Sequence, residues 1–405
     1  MRYDSVDLGG LAERLVAARK TANVTQEDAA NHLDMSRPTF IAMEKGSRRP
    51  KPDELVKLAE LYKTPLNKLL RDDPRPTPLR PHLRSVLDPL SEGHRELELA
   101  VEALTGYIDD YQFLERLVEA HPGAHFPPPV RIPHGDIQRF AEHCAQEERA
   151  RLKLGAHQPI HNLRKILEEA GLHVFVEKVD SKLAGLYVFV PDFGYCILIN
   201  RSHPAERRRW TIAHEYGHFL VDRDRPGVDY LRASQRKHEG ERFADLFAGA
   251  FLMPEPGVQR RFYEEVERTG DFKVGDVFHM ADYFAVSVMA MTLRLEALGL
   301  IPRGSWDEIS ESRLPVRKLR EKAGVEPVPD RESIEPYPQR YKLLAVQAFV
   351  DDKITEGQLA KLLRCSRIEA RETVEKLSEA RDDSDGTQSL VPIRLTHSLL
   401  GHAAR

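Results

Sequence analysis

The stretch "RRRWTIAHEYGHFLVD", Arg207 to Asp222, places His214, Glu215 and His218 inside a segment that is otherwise apolar nearly all round. Histidines at i and i+4 lie one turn apart on the same face of a helix, where both imidazoles reach a single ion. The glutamate between them stands beside that ion rather than on it, where it can act as base to an activated water. The competing reading is a core helix whose histidines are satisfied by neighbouring groups. A buried His-Glu-His cluster with no compensating partner is costly, and a bound cation removes that cost. Spacing alone does not choose, so the decision passes to a third ligand.

The extended pattern H-E-x-x-H-x-x-G-x-x-H fails, because Val221 and Asp224 occupy its last two defined positions. Asp222, one turn beyond His218, is a minor candidate. A better one lies in "HEGERFADLFAGAFLMP", His238 to Pro254, a second apolar helical stretch that carries Glu241 with Asp245 at i+4. A glutamate ligand, with an aspartate one turn later holding a ligand histidine, makes a His₂Glu site with a fourth position left for water. His238 and Glu239 are rivals at the start of the same stretch.

A chain of 405 residues exceeds one ordinary core and predicts about two to four domains. Hydrophobic residues at 41% and charged residues at 31% describe a globular protein. Cys144, Cys196 and Cys365 have no C-x-x-C spacing, which excludes a disulfide framework and a cysteine-built metal site. With no signal-peptide pattern and no apolar run approaching a membrane span of about 18 residues, the expected location is the reducing cytoplasm, with no membrane partner. Net charge is −4, but residues 1–80 carry 15 Lys and Arg against 12 Asp and Glu. That local excess matters only beside a binding motif.

Such a motif lies in "VTQEDAANHLDMSRPTFIAMEKGSRRPKPDELVKLAELY", Val24 to Tyr62. Thr25 and Ser36 are N-caps of two short helices joined by a break at Asp34-Met35, the helix-turn-helix plan, with Ala29, Leu33, Phe40, Ile41 and Leu58 packing them together. The second helix of that plan presents its N-terminal residues to base edges in the major groove, here Arg37, Thr39 and Ala42. Gln26, Arg48, Arg49 and Lys51 stand where phosphate contacts are made. Pro38 is tolerated at an early helical position and takes the place of a side chain that could read a base. Residues 9–70 resemble the XRE/Cro-repressor helix-turn-helix family across its five helices.

Four prolines in "RDDPRPTPLRPHLR", Arg71 to Arg84, set the first domain boundary. A long helix or hairpin follows at Leu97–His121. From Gly135 two amphipathic helices lead into "HVFVEKV", "LAGLYVFV" and "YCILINRS", which read as a small sheet, and then into helices at Glu206–Asp222, Lys237–Leu252, Phe272–Phe284 and Ser287–Leu298. "FAVSVMAMTLRLEALGLI" has a helix-turn-helix look, but Met289, Met291, Leu293 and Leu295 assign it to core packing. The C-terminal "DKITEGQLAKLLRCSRIEARETVEKL" reads helix, turn, helix, with Arg364, Arg367 and Arg371 on or near its second helix.

Taken with "GAHQPIHNLRKILEEAGLHV", the segments from Arg207 to Ile301 resemble the ImmA/IrrE family of zinc metallopeptidases over residues 136–302. The resemblance implies one zinc ion on His214, His218 and Glu241, Glu215 as catalytic base, and cleavage of a repressor as the activity; Tyr216 and His238 are the candidates for an oxyanion donor. The expected organisation is an all-α helix-turn-helix domain at 1–70, a proline-rich linker and helical connector at 71–134, an α+β zincin-like metallopeptidase domain at 135–302, a linker at 303–340 and a C-terminal helical module at 341–405. The expected function is a DNA-binding regulator with endopeptidase activity, its partners double-stranded DNA, a protein substrate and a second copy of itself. The alternatives are a transcription factor that uses the zincin fold as a non-catalytic sensor, and a regulator associated with a toxin-antitoxin pair.

Overall fold

Capping chemistry sets the helices of the N-terminal unit, residues 1–77, one of two units into which the chain divides, the other being residues 78–405. In this computed structural model the described residues are 8–22, 24–64, 66–70, 94–120, 126–179, 183–190, 193–221, 227–230, 239–311, 320, 334–382 and 388–392. The first unit holds α1 (Leu8–Thr21), α2 (Gln26–His32), α3 (Arg37–Glu44), α4 (Pro52–Leu61) and α5 (Leu66–Leu70). Thr25 caps α2 through a reciprocal box with Asp28, and Ser36 caps α3 by accepting from the Thr39 N–H. Leu11, Leu15, Ala29, Phe40, Met43, Leu55 and Leu58 fill the core. Ile41, expected to join them, is half-buried.

The second unit is built on a sheet of β1 (His173–Glu177), β2 (Leu183–Val190), β3 (Gly194–Asn200) and β4 (Gly227–Tyr230), in the order β1-β3-β2-β4. β1 runs parallel to β3; β2 is antiparallel to both its neighbours. Alternation along the strands divides two cores. Tyr195, Ile197 and Ile199 enter one, while Cys196 and Leu198 enter the other. Both faces are covered, and for that reason β3 reads as an unbroken apolar run with no polar face.

The front face carries α7 (Ile137–Arg151), α8 (Leu163–Glu169), α9 (Ala205–Val221), α10 (Glu239–Leu252), α11 (Glu255–Thr269), α12 (Val274–Phe284) and α13 (Val288–Ala297), with α14 (Ser305–Glu311) after it. The back face is covered by α6 (His94–Val118) together with α15 (Gln339–Val350), α16 (Glu356–Leu362) and α17 (Arg367–Leu377). The connector helix and the C-terminal helices, far apart in sequence, thus form one layer. Arg340 joins them, pairing with Glu115 and reaching the Tyr111 hydroxyl on α6. Arg364 lies 3.4 Å over the Tyr107 ring, whose hydroxyl donates to Glu177 of β1.

Several elements differ from the sequence reading. The C-terminal module is not wholly helical: α17 runs into an antiparallel hairpin of β5 (Ser378–Asp382) and β6 (Gln388–Pro392). "SEARD" has little strand propensity, so only pairing makes it a strand. β4, α11 and α14 were likewise not anticipated. In α13, Met291 and Leu295 are buried, one turn apart, whereas Met289 and Leu293 lie on the other face at 48% and 42% exposure. Among the described residues no helix is long and apolar enough to cross a membrane.

One ion pair contributes to the acid response of the N-terminal unit. Arg48 donates to both oxygens of the buried Glu54, at 3.0 and 2.7 Å, and the Lys51 N–H donates to the same carboxylate. Burial alone raises the Glu54 pKa, but these contacts outweigh it and hold the carboxyl below its ordinary range. A depressed carboxylate contributes stability above its unfolded pKa and loses it as pH falls through the folded one. Thermal unfolding between about pH 3 and pH 6 is therefore expected to show a weaker acid-side decline for Glu54→Gln than for the native protein.

Candidate metal centre and helix-turn-helix

A close approach of two helices creates the candidate site. From Thr211 to Leu220 every residue of α9 is buried, and its longest contact is with α10. A Cβ on Gly217 would lie 2.9 Å from the Ala244 Cα and 3.3 Å from the Phe247 ring, so the glycine lets α10 rest against the backbone of α9. Glu241, one turn before Ala244, is thereby carried to the histidines.

His214 Nε2 and His218 Nε2 are 3.1 Å apart, and the two Glu241 oxygens lie 3.5 Å from the first and 3.3 Å from the second. Three ligands about 2.0–2.1 Å from a tetrahedral ion are separated by about 3.3 Å. The donor set and its spacing therefore fit zinc. Hydrogen bonds with His214 and His218 hold the Glu241 carboxyl well below the usual carboxylate range, against the upward pull of its burial. An anionic ligand between two imidazoles is the charge state a divalent cation requires.

The groups behind the two histidines are unequal. Asp245 Oδ1 lies 3.0 Å from His214 Nδ1, so an Nδ1–H donated there leaves Nε2 as the lone-pair donor. His218 Nδ1 is buried with no hydrogen-bond partner among the described residues, and the ring stacks on Tyr187 of β2. Glu215 is wholly buried. Thr211, Glu215 and His218 form one stripe of α9 beneath β2: a Cβ on Gly185 would meet Thr211 Cγ2 at 2.8 Å and Glu215 Oε1 at 3.3 Å. β2 loses register with β4 between Leu183 and Gly185, a bulge directly above this stripe.

Tyr216 points elsewhere. Its hydroxyl is bound by Glu148 and by Arg151 at 2.7 Å, both on α7, and burial and the Glu148 charge raise its pKa. This engagement argues against Tyr216 as the oxyanion donor. Its position, halfway round the helix from both His214 and His218, explains the geometry. Glu239 is exposed at the start of α10. Asp222 and His238 lie outside the described residues.

Two family descriptions match the chain: an IrrE N-terminal-like domain over residues 167–296 and a helix-turn-helix domain over residues 11–71. The cryptic phage CTXphi transcriptional repressor RstR of Vibrio cholerae is 32% identical over 90 residues, covering 21% of this chain and 79% of the repressor. The chain belongs to the helix-turn-helix proteins fused to an ImmA/IrrE-like domain. A solved structure, ComR from Streptococcus suis, aligns over 91% of this chain and 94% of its own at 12% identity, but with a TM-score of 0.16 that alignment carries no argument.

Within the helix-turn-helix domain, Arg37 is exposed and Thr39 partly so, at the start of α3, and Ala42 is half-buried one turn on. Ser36 and Thr39 hydroxyls lie 2.8 Å apart. Gln26 donates to Glu44, which also pairs with Arg19, and Arg48 is engaged with Glu54. Two of the four expected phosphate contacts are therefore occupied inside the domain. Lys51 is exposed and Arg49 half-buried.

In the IrrE-like domain the α9–α10 contact makes Gly217 a sensitive position outside the donor set. Gly217→Val is expected to cost about 1–3 kcal/mol through overpacking, read by denaturant unfolding. It should also weaken zinc binding, because α10 can relieve the clash only by carrying Glu241 away from the histidines.

Proposed function

We propose that the IrrE-like domain is a zinc-dependent endopeptidase and that the chain is a DNA-binding regulator, its substrate a transcriptional repressor. The carrying observation is the donor triangle of His214, His218 and Glu241, with Asp245 behind one histidine and a glutamate on the intervening turn. A structural zinc ordinarily has four protein ligands and no base, whereas three ligands leave a position for chemistry.

His214, His218 and Glu241 are the ligands, and Asp245 sets the tautomer of His214. A zinc ion held there supplies Lewis acidity toward a scissile carbonyl and lowers the pKa of a water. Glu215 takes the proton from the attacking water and returns it to the leaving amine.

The reading of the helix-turn-helix rests on α3 and its flanks. Arg37 forks to a guanine, Thr39 and Ala42 contact neighbouring base edges, and Arg49 and Lys51 contact phosphates. Gln26 and Arg48 join the phosphate contacts when their bonds to Glu44 and Glu54 exchange for DNA. Paired half-sites call for two copies of the chain. A repressor bound at a neighbouring half-site of such an operator is presented to the peptidase domain.

Two measurements test these assignments. Glu215→Gln should keep stoichiometric zinc and lose about 10²–10⁴-fold in cleavage rate against candidate repressors. Equal cleavage by both proteins, or none by the native one, sinks the peptidase and leaves a zinc-binding sensor. On the DNA side, Arg37→Ala should lose about 1–3 kcal/mol on a selected operator and discriminate less at one base pair, whereas Lys51→Ala should weaken binding to all sequences alike and flatten its salt dependence.

A further inference from the structure

Both ligand histidines need a fixed ring plane, and they obtain it differently. His214 is held through Nδ1 by Asp245. His218 has no such acceptor among the described residues, yet it is buried and its Nε2 is aimed at His214 and Glu241. What lies against it is the Tyr187 ring, at a centroid distance of 5.2 Å and an interplanar angle of 15°.

Tyr187 is itself immobilised. It is buried, it stacks at 28° on Tyr195, and the Tyr195 hydroxyl donates to the Glu215 carbonyl of α9. Its strand β2 is central, paired on one side to β3 and on the other to β4, with Leu186 and Val188 packed into the back core. Two residues earlier, Gly185 brings the strand against Thr211 and Glu215. A rigid ring parallel to an imidazole restricts rotation of that imidazole about its Cβ–Cγ bond, which is what an acceptor on Nδ1 does by hydrogen bonding.

We infer that Tyr187 is the positioning residue for His218, fixing by ring stacking the orientation that Asp245 fixes for His214 by a hydrogen bond. The inference rests on the zinc reading of the site but not on peptidase activity. It assigns the effect to the ring and not to the hydroxyl, which separates it from any role of Tyr187 as an acid or a hydrogen-bond donor.

Zinc affinity of the full chain, measured by competition with a chelating dye, tests it. Tyr187→Leu is expected to bind zinc about 10–100-fold more weakly, comparable to Asp245→Asn, while Tyr187→Phe binds within about twofold of the native protein. The visible bands of the cobalt-loaded protein should shift in Tyr187→Leu and not in Tyr187→Phe. Thermal unfolding of the metal-free variants controls for folding: should Tyr187→Leu unfold early, Tyr187→Met and the cobalt spectrum of Tyr187→Phe carry the comparison. Native affinity in a folded Tyr187→Leu overturns the inference, as does an equal loss in Tyr187→Phe. Absence of stoichiometric zinc in the native chain, with His214→Ala as control, overturns the metal reading as well, so the two failures are told apart.

Discussion

Everything at the candidate site depends on one steric fact, the contact between Gly217 and Ala244. The histidines reach each other by helical periodicity alone, since any helix places i and i+4 on one face. Glu241 comes from a different helix and reaches them only if α10 lies closer to α9 than ordinary side chains permit. The residue that permits it is the second unassigned position of the H-E-x-x-H pattern. Here it is glycine, and Ala244 and Phe247 close over it.

From that contact outward the second unit is arranged in three layers. Helices α7, α9 and α10 cover the front of the sheet, the sheet forms the middle, and α6 with the C-terminal helices forms the back. β2 belongs to both cores. Tyr187 faces the site, and its neighbours Leu186 and Val188 face the back layer, where Arg340 and Arg364 tie the C-terminal helices to α6 and β1. The C-terminal segment is therefore part of the support of the candidate site. This packing gives it a structural role that its helix-turn-helix pattern does not suggest. Arg371, which that pattern would offer to DNA, is paired with Glu356.

The N-terminal unit follows a different logic. It is a small helical core closed by short-range polar bonds, and two of its cations are already neutralised by acids of the same unit: Arg19 by Glu44 and Arg48 by Glu54. Arg37 and Lys51 are exposed, as are Lys20, Lys45, Lys57 and Lys63.

Much of this architecture was legible in the sequence wherever the signal was local. N-caps at Thr25 and Ser36, the three long strands, the α9 helix and the His214-Glu215-His218 spacing are each set by residues within a turn or two of one another. Glu241 was within reach too, because Asp245 at i+4 and an apolar helix repeat a known chemical pattern. What tertiary structure decided were matters of contact between distant segments. The hairpin after α17 arises from pairing that "SEARD" does not advertise, and the burial of Met291 beside an exposed Met289 depends on which side of α13 the core occupies. The direction of Tyr216 and the stacking of Tyr187 on His218 arise in the same way. A sequence specifies periodicity and chemistry, but which face meets which neighbour is settled only when helices and strands pack, because packing acts between residues that the chain itself keeps far apart.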